Sequence, residues 1–290
     1  MKVLVTGGAG FIGSHLVERL VEEGHQVIVF DDFSRGSKKN LSSVEDKIEI
    51  RRVDVSSHLD SFPKVNIVYH LAADSIIEKD NANSYQRNIL GMLQILESIM
   101  GNKIDKLVFS SSASVYGGTK CTVSPVLFYG ASKIACEQLI RVYAEKYGLK
   151  YWTYRFGNVV GSRMDHGVIH DFLEQYKKYG EIRMHGDGSQ VRSFIYIDDL
   201  LNALITSEER PCDVYDIASK DNTNVMRVAD IVKDTLKLKK LNIKHLPRWQ
   251  GDADYCFPDS ARLEATGWRA NLNSEQAVRK ASEKLAKEIL

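Results

Sequence analysis

The sequence predicts an α/β fold: a Rossmann-type doubly wound parallel sheet carrying a smaller C-terminal α/β lobe. Three observations predict it. Short apolar, β-branched runs alternate with helix-patterned segments through the first half of the chain. The first run leads straight into Gly7-Gly8-Ala9-Gly10-Phe11-Ile12-Gly13, and the second ends on Asp31-Asp32. Strand, glycine turn, helix, strand and acid is the order of a dinucleotide-binding βαβ unit. Continued alternation implies a parallel sheet with helices on both faces.

Lys2–Thr6 (KVLVT) is the first strand. Gly7 and Gly8 permit a tight turn after it, Gly10 lets the backbone approach a pyrophosphate, and Gly13 lets the next helix pack closely on the sheet. That helix, Ser14–Glu23, presents free N–H groups and a partial positive charge to phosphates at its start. Gln26–Phe30 is the second strand, and Asp31 after it is placed to accept hydrogen bonds from a ribose 2′-hydroxyl and to repel a 2′-phosphate, which favours NAD over NADP. Lys47–Val53, Asn66–His70 and Lys106–Ser110 are further strands. Asn81–Met100 has helical periodicity, with Asn81 or Asn83 as its cap and Met92, Leu93, Ile95, Leu96 and Ile99 as a core stripe. Gly130–Tyr147 is a second long helix, stopped by Gly148, and Lys150–Arg155 is a strand.

Beyond Gly157 the alternation weakens. Helices are expected at Val168–Tyr179, Asp198–Thr206, Val225–Leu236 and Ser274–Glu288, and strands at Val214–Ile217 and Ile243–Leu246. Residues 1–160 are read as the dinucleotide-binding domain, with a crossover into the second half, and 161–290 mainly as the second lobe.

Composition narrows the function classes. The chain has 290 residues, a net charge of +1, 43% hydrophobic and 27% charged residues, the balance of a globular protein with no field to attract nucleic acid or an anionic membrane. No basic cluster is interleaved with aromatics. The cysteines, at 121, 136, 212 and 256, have no CxxC spacing and read as reduced thiols. The first strand begins at once, leaving no room for a cleavable signal, and no apolar run is long enough to span a membrane. These features predict a cytoplasmic enzyme. Asp165-His166 and His170-Asp171 place two histidines four apart, but Gly167 lies between them and no third ligand is evident, so no metal is expected.

The chemistry concentrates further on. Ser111 and Ser112 emerge at the end of the fifth strand, on the edge where open parallel sheets bind ligands. Tyr129-Gly-Ala-Ser-Lys133 then opens a helix, with Tyr129 and Lys133 four apart on one face. An ammonium near the phenol would lower its pKa toward the working range and make a general base. Lys133 would also bond the nicotinamide ribose while Ser112 holds a substrate hydroxyl.

At this point GGAGFIG, Asp31-Asp32, Asp54-Val55, His70-Leu-Ala-Ala73, FSSSASVYG, YGASK and RSFIYIDD, taken in order, resemble the extended short-chain dehydrogenase/reductases. Within them the chain most resembles nucleotide-sugar epimerases of the UDP-glucose 4-epimerase kind. The resemblance implies that Phe11 and Ile12 meet the pyrophosphate, that Asp31 takes the adenosine ribose, and that Asp54 and Val55 flank the adenine. Leu71, Ala72 and Ala73 would line the cofactor groove, with Asn88 supporting the active-site side. Asp32, Ser34, Arg35, Gly36, Ser110, Ser111 and Phe156 complete the implied cofactor residues. In the second half, Asn158 would meet the nucleotide-sugar phosphate and Arg192 the diphosphate, which a guanidinium fork suits. Arg248 and Asp252 match the segment that closes on the nucleotide, although one extra residue separates the arginine from Gly251. The resemblance also implies a homodimer through a four-helix interface.

The implied reaction is epimerisation at C4 of a UDP-sugar, UDP-glucose and UDP-galactose foremost, by transient oxidation and return of the hydride. After Ser112 come Ala113-Ser114, so the extra acid or base that dehydrating and decarboxylating members carry there is missing. The loop Gly117–Phe128 is shorter than the family's and lacks its proline-rich stretch. Two alternatives stay open: an NAD(P)-dependent nucleotide-4-keto-sugar reductase or related oxidoreductase, and a non-catalytic dinucleotide sensor.

Overall fold

A computed structural model describes residues 1–59, 61–75, 81–118, 122–248, 254–256 and 258–290. The chain runs β1 (Lys2–Thr6), α1 (Phe11–Glu22), β2 (Gln26–Asp31), β3 (Ile48–Arg52), β4 (Ile67–His70), α2 (Ala82–Gly101), β5 (Lys106–Ser112), α3 (Phe128–Tyr147) and β6 (Lys150–Phe156). It continues through β7 (Asn158–Val160), α4 (Val168–Tyr179), β8 (Ile182–His185), β9 (Val191–Arg192), β10 (Phe194–Tyr196), α5 (Ile197–Ile205) and β11 (Asp213–Ile217). It ends with β12 (Thr223–Asn224), α6 (Val225–Thr235), β13 (Ile243–Leu246), β14 (Tyr255–Cys256), α7 (Ala261–Glu264) and α8 (Ser274–Ile289).

Seven strands form the central sheet in the order β11-β6-β5-β4-β1-β2-β3. β1 pairs in parallel with β2 and β4, and β2–β3 and β4–β5 are parallel too. The order 3-2-1-4-5-6 within it is that of a doubly wound dinucleotide fold, whose direction reverses beside β1. The strands are buried along most of their length because helices cover both faces. Leu4, Ile28, Phe30, Val68, Leu107 and Phe109 from the sheet pack with Met92, Ile95, Leu96 and Ile99 of α2 and Cys136 and Ile140 of α3. The stripe expected on α2 is thus core, apart from the partly buried Leu93. Asn81 caps α2, accepting from the N–H groups of Asn83 and Ser84 at 2.9 and 3.2 Å, and Gly148, at φ +73°, ends α3.

By contacts the chain forms two units. Met1–Val115, Pro125–Arg155 and Leu201–Tyr215 make the first, and Tyr116–Ser124, Phe156–Leu200 and Asp216–Leu290 the second. The chain therefore crosses between the units at several points. Tyr116–Ser124, shortly beyond the strand that ends on Ser112, belongs to the second unit, where the Tyr116 hydroxyl donates to Asp216, 2.7 Å from each carboxylate oxygen. The second unit holds small sheets: β10 with β7, β12-β9-β14, and β13 with β8. No helix among the described residues is long and apolar enough to cross a membrane.

Candidate active site

The first unit brings the glycine turn, the strand ends and the Tyr129–Lys133 face together. Helix α1 starts at Phe11, with Gly10 as its N-cap, three residues earlier than the pattern in Ser14–Glu23 suggested. That start places the N–H groups of Phe11, Ile12 and Gly13 in the first turn, where no intrahelical carbonyl meets them. Gly7 has φ +69°, and a Cβ there would lie 2.8 Å from the Ala72 nitrogen. At Gly13 a Cβ would lie 2.1 Å from the Gly7 carbonyl oxygen. The turn thus closes against Leu71-Ala72 on one side and the helix on the other. This bare-backbone concavity before a helix N-terminus fits a pyrophosphate.

Asp31 is buried at the end of β2, and its carboxylate accepts from the Ala9 and Phe33 N–H groups, 2.9 Å each. Each oxygen keeps a lone pair for a ribose hydroxyl. Burial raises the Asp31 pKa above the ordinary carboxylate value, with the two backbone bonds opposing it. Gly36 folds back on Asp31: a Cβ there would sit 2.7 Å from its Oδ1. Arg35 reaches from the same loop to Ser75, donating to its hydroxyl at 3.1 Å. Val55 packs on α2 opposite Gly91, where an added Cβ would lie 3.3 Å from the valine. Asn88 is a buried clamp. Its side chain accepts from the Asp74 N–H at 2.8 Å and donates to the Asp74 carbonyl and the Ser132 hydroxyl at 3.1 and 3.0 Å. It joins the β4 end to α3.

Ser112, Tyr129 and Lys133 gather at the end of β5. Ser112 Oγ accepts from the Ser114 N–H at 3.1 Å and lies 3.0 Å from the Ser114 hydroxyl, and it hydrogen-bonds the Tyr129 phenol. Ser114, unremarkable in the sequence, thus orients the hydroxyl. Lys133 is buried; its Nζ donates to the Ser110 carbonyl at 2.7 Å and stands 4.8 Å from the Phe109 ring and 5.5 Å from the Tyr129 ring. Burial brings the Lys133 ammonium down to about 8. The expectation that Lys133 lowers the phenol pKa is not met in this arrangement. Burial pushes Tyr129 up to about 12, opposed by the bond to Ser112 and the positive charge of Arg35. Lys133 is drawn to the Ser110 carbonyl instead.

Ser110 and Ser111 serve different ends. The Ser110 hydroxyl donates to the His70 carbonyl at 3.2 Å. Ser111 turns into the core, its hydroxyl 2.5 Å from Glu137 Oε1. Glu137 also takes Arg155 as a fork, Nε to Oε1 at 3.0 Å and Nη2 to Oε2 at 2.6 Å. The glutamate side chain is 2% and the arginine 16% exposed. Nothing local in the sequence marks this pair, although Tyr129, Lys133 and Glu137 follow one another at spacings of four on one helix face. Removing a buried partner strands the other charge. Glu137→Ala is therefore expected to cost about 3–5 kcal/mol, read as a lower denaturation midpoint; a loss below about 1 kcal/mol would mean that water already reaches Arg155.

His70 is buried against Phe109, with ring centroids 5.8 Å apart, and its Nδ1 lies 2.8 Å from the Thr6 hydroxyl. Thr6 Oγ1 accepts the Ala72 N–H at 3.2 Å. Burial and the nearby Lys133 charge lower His70 to about 3, so the ring is neutral and its contribution is to position Thr6 beside the glycine turn.

The second unit carries the other expected residues. Phe156 is buried at the end of β6, and Asn158 is exposed on β7, its N–H donating to the Ser193 carbonyl at 3.0 Å. Arg192 lies on β9 between β12 and β14, donating to the Val191 carbonyl at 3.0 Å and toward the Asp254 carbonyl at 3.5 Å. Arg248 crosses Gly186, where a Cβ would sit 2.9 Å from its Cγ, and pairs with Asp254 at 2.6 Å. Asp252 lies outside the described residues. His166 and His170 each contact the neighbouring aspartate, and among the described residues no group of three or more His, Cys, Asp or Glu side chains is placed to hold a metal.

Residues 3–218 match the family described as the NAD dependent epimerase/dehydratase family. A putative UDP-glucose 4-epimerase of Methanocaldococcus jannaschii is 31% identical, over 96% of each chain. The UDP-glucose 4-epimerase of Thermus thermophilus, solved with NAD, superposes with a TM-score of 0.89 at 29% identity, covering 98% of this chain and 99% of that one. A UDP-N-acetylglucosamine 4-epimerase of Methanobrevibacter ruminantium, solved with UDP-N-acetylmuramic acid, superposes with a TM-score of 0.91 at 28% identity, covering 99% and 98%.

Proposed function

The chain belongs to the NAD dependent epimerase/dehydratase family, and we propose that it epimerises a nucleotide sugar at C4 with NAD as cofactor, UDP-glucose and UDP-galactose being its substrates. One observation carries this reading: Ser112, Tyr129 and Lys133 converge at the β5 end in the same unit as a turn shaped for a dinucleotide. The epimerase relatives support C4 as the site of reaction and UDP as the nucleotide. Ala113-Ser114 after the catalytic serine disfavours dehydration.

NAD, when bound, supplies the acceptor and later the donor of the hydride at C4. Tyr129, as phenolate, takes the proton from the sugar 4-hydroxyl as the C4–H bond breaks, and gives it back to the 4-keto oxygen on the return, ending again as phenolate. Ser112, its oxygen engaged by Ser114, has one proton, which it donates to the phenolate or, with substrate bound, to the reacting oxygen. Lys133 holds positive charge beside the phenol and bonds the nicotinamide ribose. Asp31 takes the adenosine ribose, Phe11 and Ile12 meet the pyrophosphate, and Arg192 and Asn158 bind the nucleotide-sugar diphosphate. We propose further that the enzyme is a homodimer through α2 and α3, on which Leu90 and Val142 are exposed.

The test is incubation of purified protein with UDP-galactose, without added nucleotide, alongside assay of cofactor released on denaturation. Conversion to UDP-glucose with stoichiometric NAD is the expected result. A strict need for added NAD(P)H would identify a reductase, and conversion of UDP-N-acetylated sugars alone would reassign the substrate.

A further inference from the structure

Two short segments of the first unit are built alike. After β2, Asp32 Oδ1 accepts from the Ser34 N–H and hydroxyl at 2.8 and 2.6 Å; after β3, Asp54 Oδ1 accepts from the Ser56 N–H and hydroxyl at 2.9 and 2.7 Å. Each D-x-S turn fixes one carboxylate oxygen. The remaining oxygens both face Arg87 of α2, whose Nη2 lies 3.1 Å from Asp32 Oδ2 and 3.4 Å from Asp54 Oδ2. Arg87 directly precedes the clamped Asn88, so its backbone is fixed while its side chain, 46% exposed, stays at the surface.

Such an exposed network adds little to folding stability. Its place suggests another use. Asp31, Asp32 and Asp54 stand at the carboxyl ends of β2 and β3, the edge where a doubly wound sheet takes its ligand. A dinucleotide brings further negative charge to these carboxylates through its phosphates, and like charges repel. Arg87 supplies a compensating cation at that end, with a planar guanidinium suited to lie against an adenine.

We propose that Arg87 is the clasp of the adenosine end, bridging the Asp32 and Asp54 turns to hold the dinucleotide in residence and to set its exchange rate. The proposal rests on the NAD reading above and concerns retention, not chemistry. Loaded wild-type and Arg87→Ala proteins are compared by the rate of NAD release into a trap, at low and at high salt, with denaturation midpoints as a folding control. The variant is expected to release NAD about tenfold faster at low salt. Release from the wild type should quicken as salt screens the clasp, and the variant should lose most of that salt response. Equal release rates with an unchanged salt response, both proteins holding NAD, would overturn the clasp alone. A wild type that retains no NAD after loading would overturn both the clasp and the cofactor reading.

Discussion

Replacing Tyr129 by phenylalanine is expected to lower kcat by about 10²–10⁴-fold, the range carried by a positioned acid or base, while bound NAD is retained. The ring of Tyr129 stays on α3 in the variant, and the residues that shape the cofactor turn are elsewhere on β1, α1 and β2. Only the hydroxyl bonded to Ser112 is lost. The demand on that hydroxyl is severe, because burial holds it up at about 12 and leaves it protonated at neutral pH. The bond to Ser112 and the positive charge of Arg35 oppose that rise. Lys133, brought down to about 8, is charged below that pH and discharges above it. Its lowered value also means that the buried ammonium costs stability at neutral pH, a cost relieved as pH rises past about 8 toward the unfolded lysine value. Lys133→Met should therefore lack the rise in stability above about pH 8, read from denaturation midpoints across pH. Undiminished turnover in Tyr129→Phe would remove it as the base, and loss of NAD in that variant would make its role one of binding.

Periodicity and glycine placement made the first unit legible. The pattern predicts a strand at Lys47–Val53, and Ile48–Arg52 is one; it predicts a helix at Gly130–Tyr147, which begins two residues earlier and takes Tyr129 into its first turn. Parallel strands buried on both faces carry an unbroken apolar signal. The two-residue strands β9, β12 and β14 carry none, since tertiary pairing alone defines them. Within the site, residues with unusual chemistry at characteristic spacing were readable. Those that act by partnership were not: Glu137 becomes notable only with Arg155, from another element, in its carboxylate fork, and Arg87 only when the turns at Asp32 and Asp54 face it. Lys133 lies on α3 one turn from Tyr129, yet its orientation depends on the Ser110 carbonyl and on burial, which no local pattern encodes.

Gly13→Ala should be far more damaging than the same methyl at two other glycines, and the comparison shows why. An added Cβ at Gly13 would lie 2.1 Å from the Gly7 oxygen and 2.8 Å from the Gly7 carbonyl carbon and Gly8 Cα. All three are backbone atoms, so no side chain can swing aside; the turn or α1 must move. Overpacking of this kind costs about 1–3 kcal/mol in a well-packed core, and movement of the turn would misdirect the N–H groups of Phe11 and Ile12 as well. The variant is expected to lose both thermal stability and detectable NAD binding. At Gly10 the backbone is extended, with φ −77° and ψ −177°, and the only close atom is the Gly7 oxygen at 3.3 Å. Gly10→Ala should keep nearly the wild-type denaturation midpoint and lose NAD affinity, because there the small residue serves the approach of the ligand. At Gly101, near the end of α2, nothing lies within 4 Å of an added Cβ, and Gly101→Ala should be neutral or stabilise the helix by up to about 1 kcal/mol. Calorimetric denaturation and NAD titration of the three variants separate the cases. Equal stability of Gly13→Ala and Gly101→Ala would mean that the turn yields without cost, and unaltered NAD affinity in Gly10→Ala would place the pyrophosphate away from the Gly10 backbone.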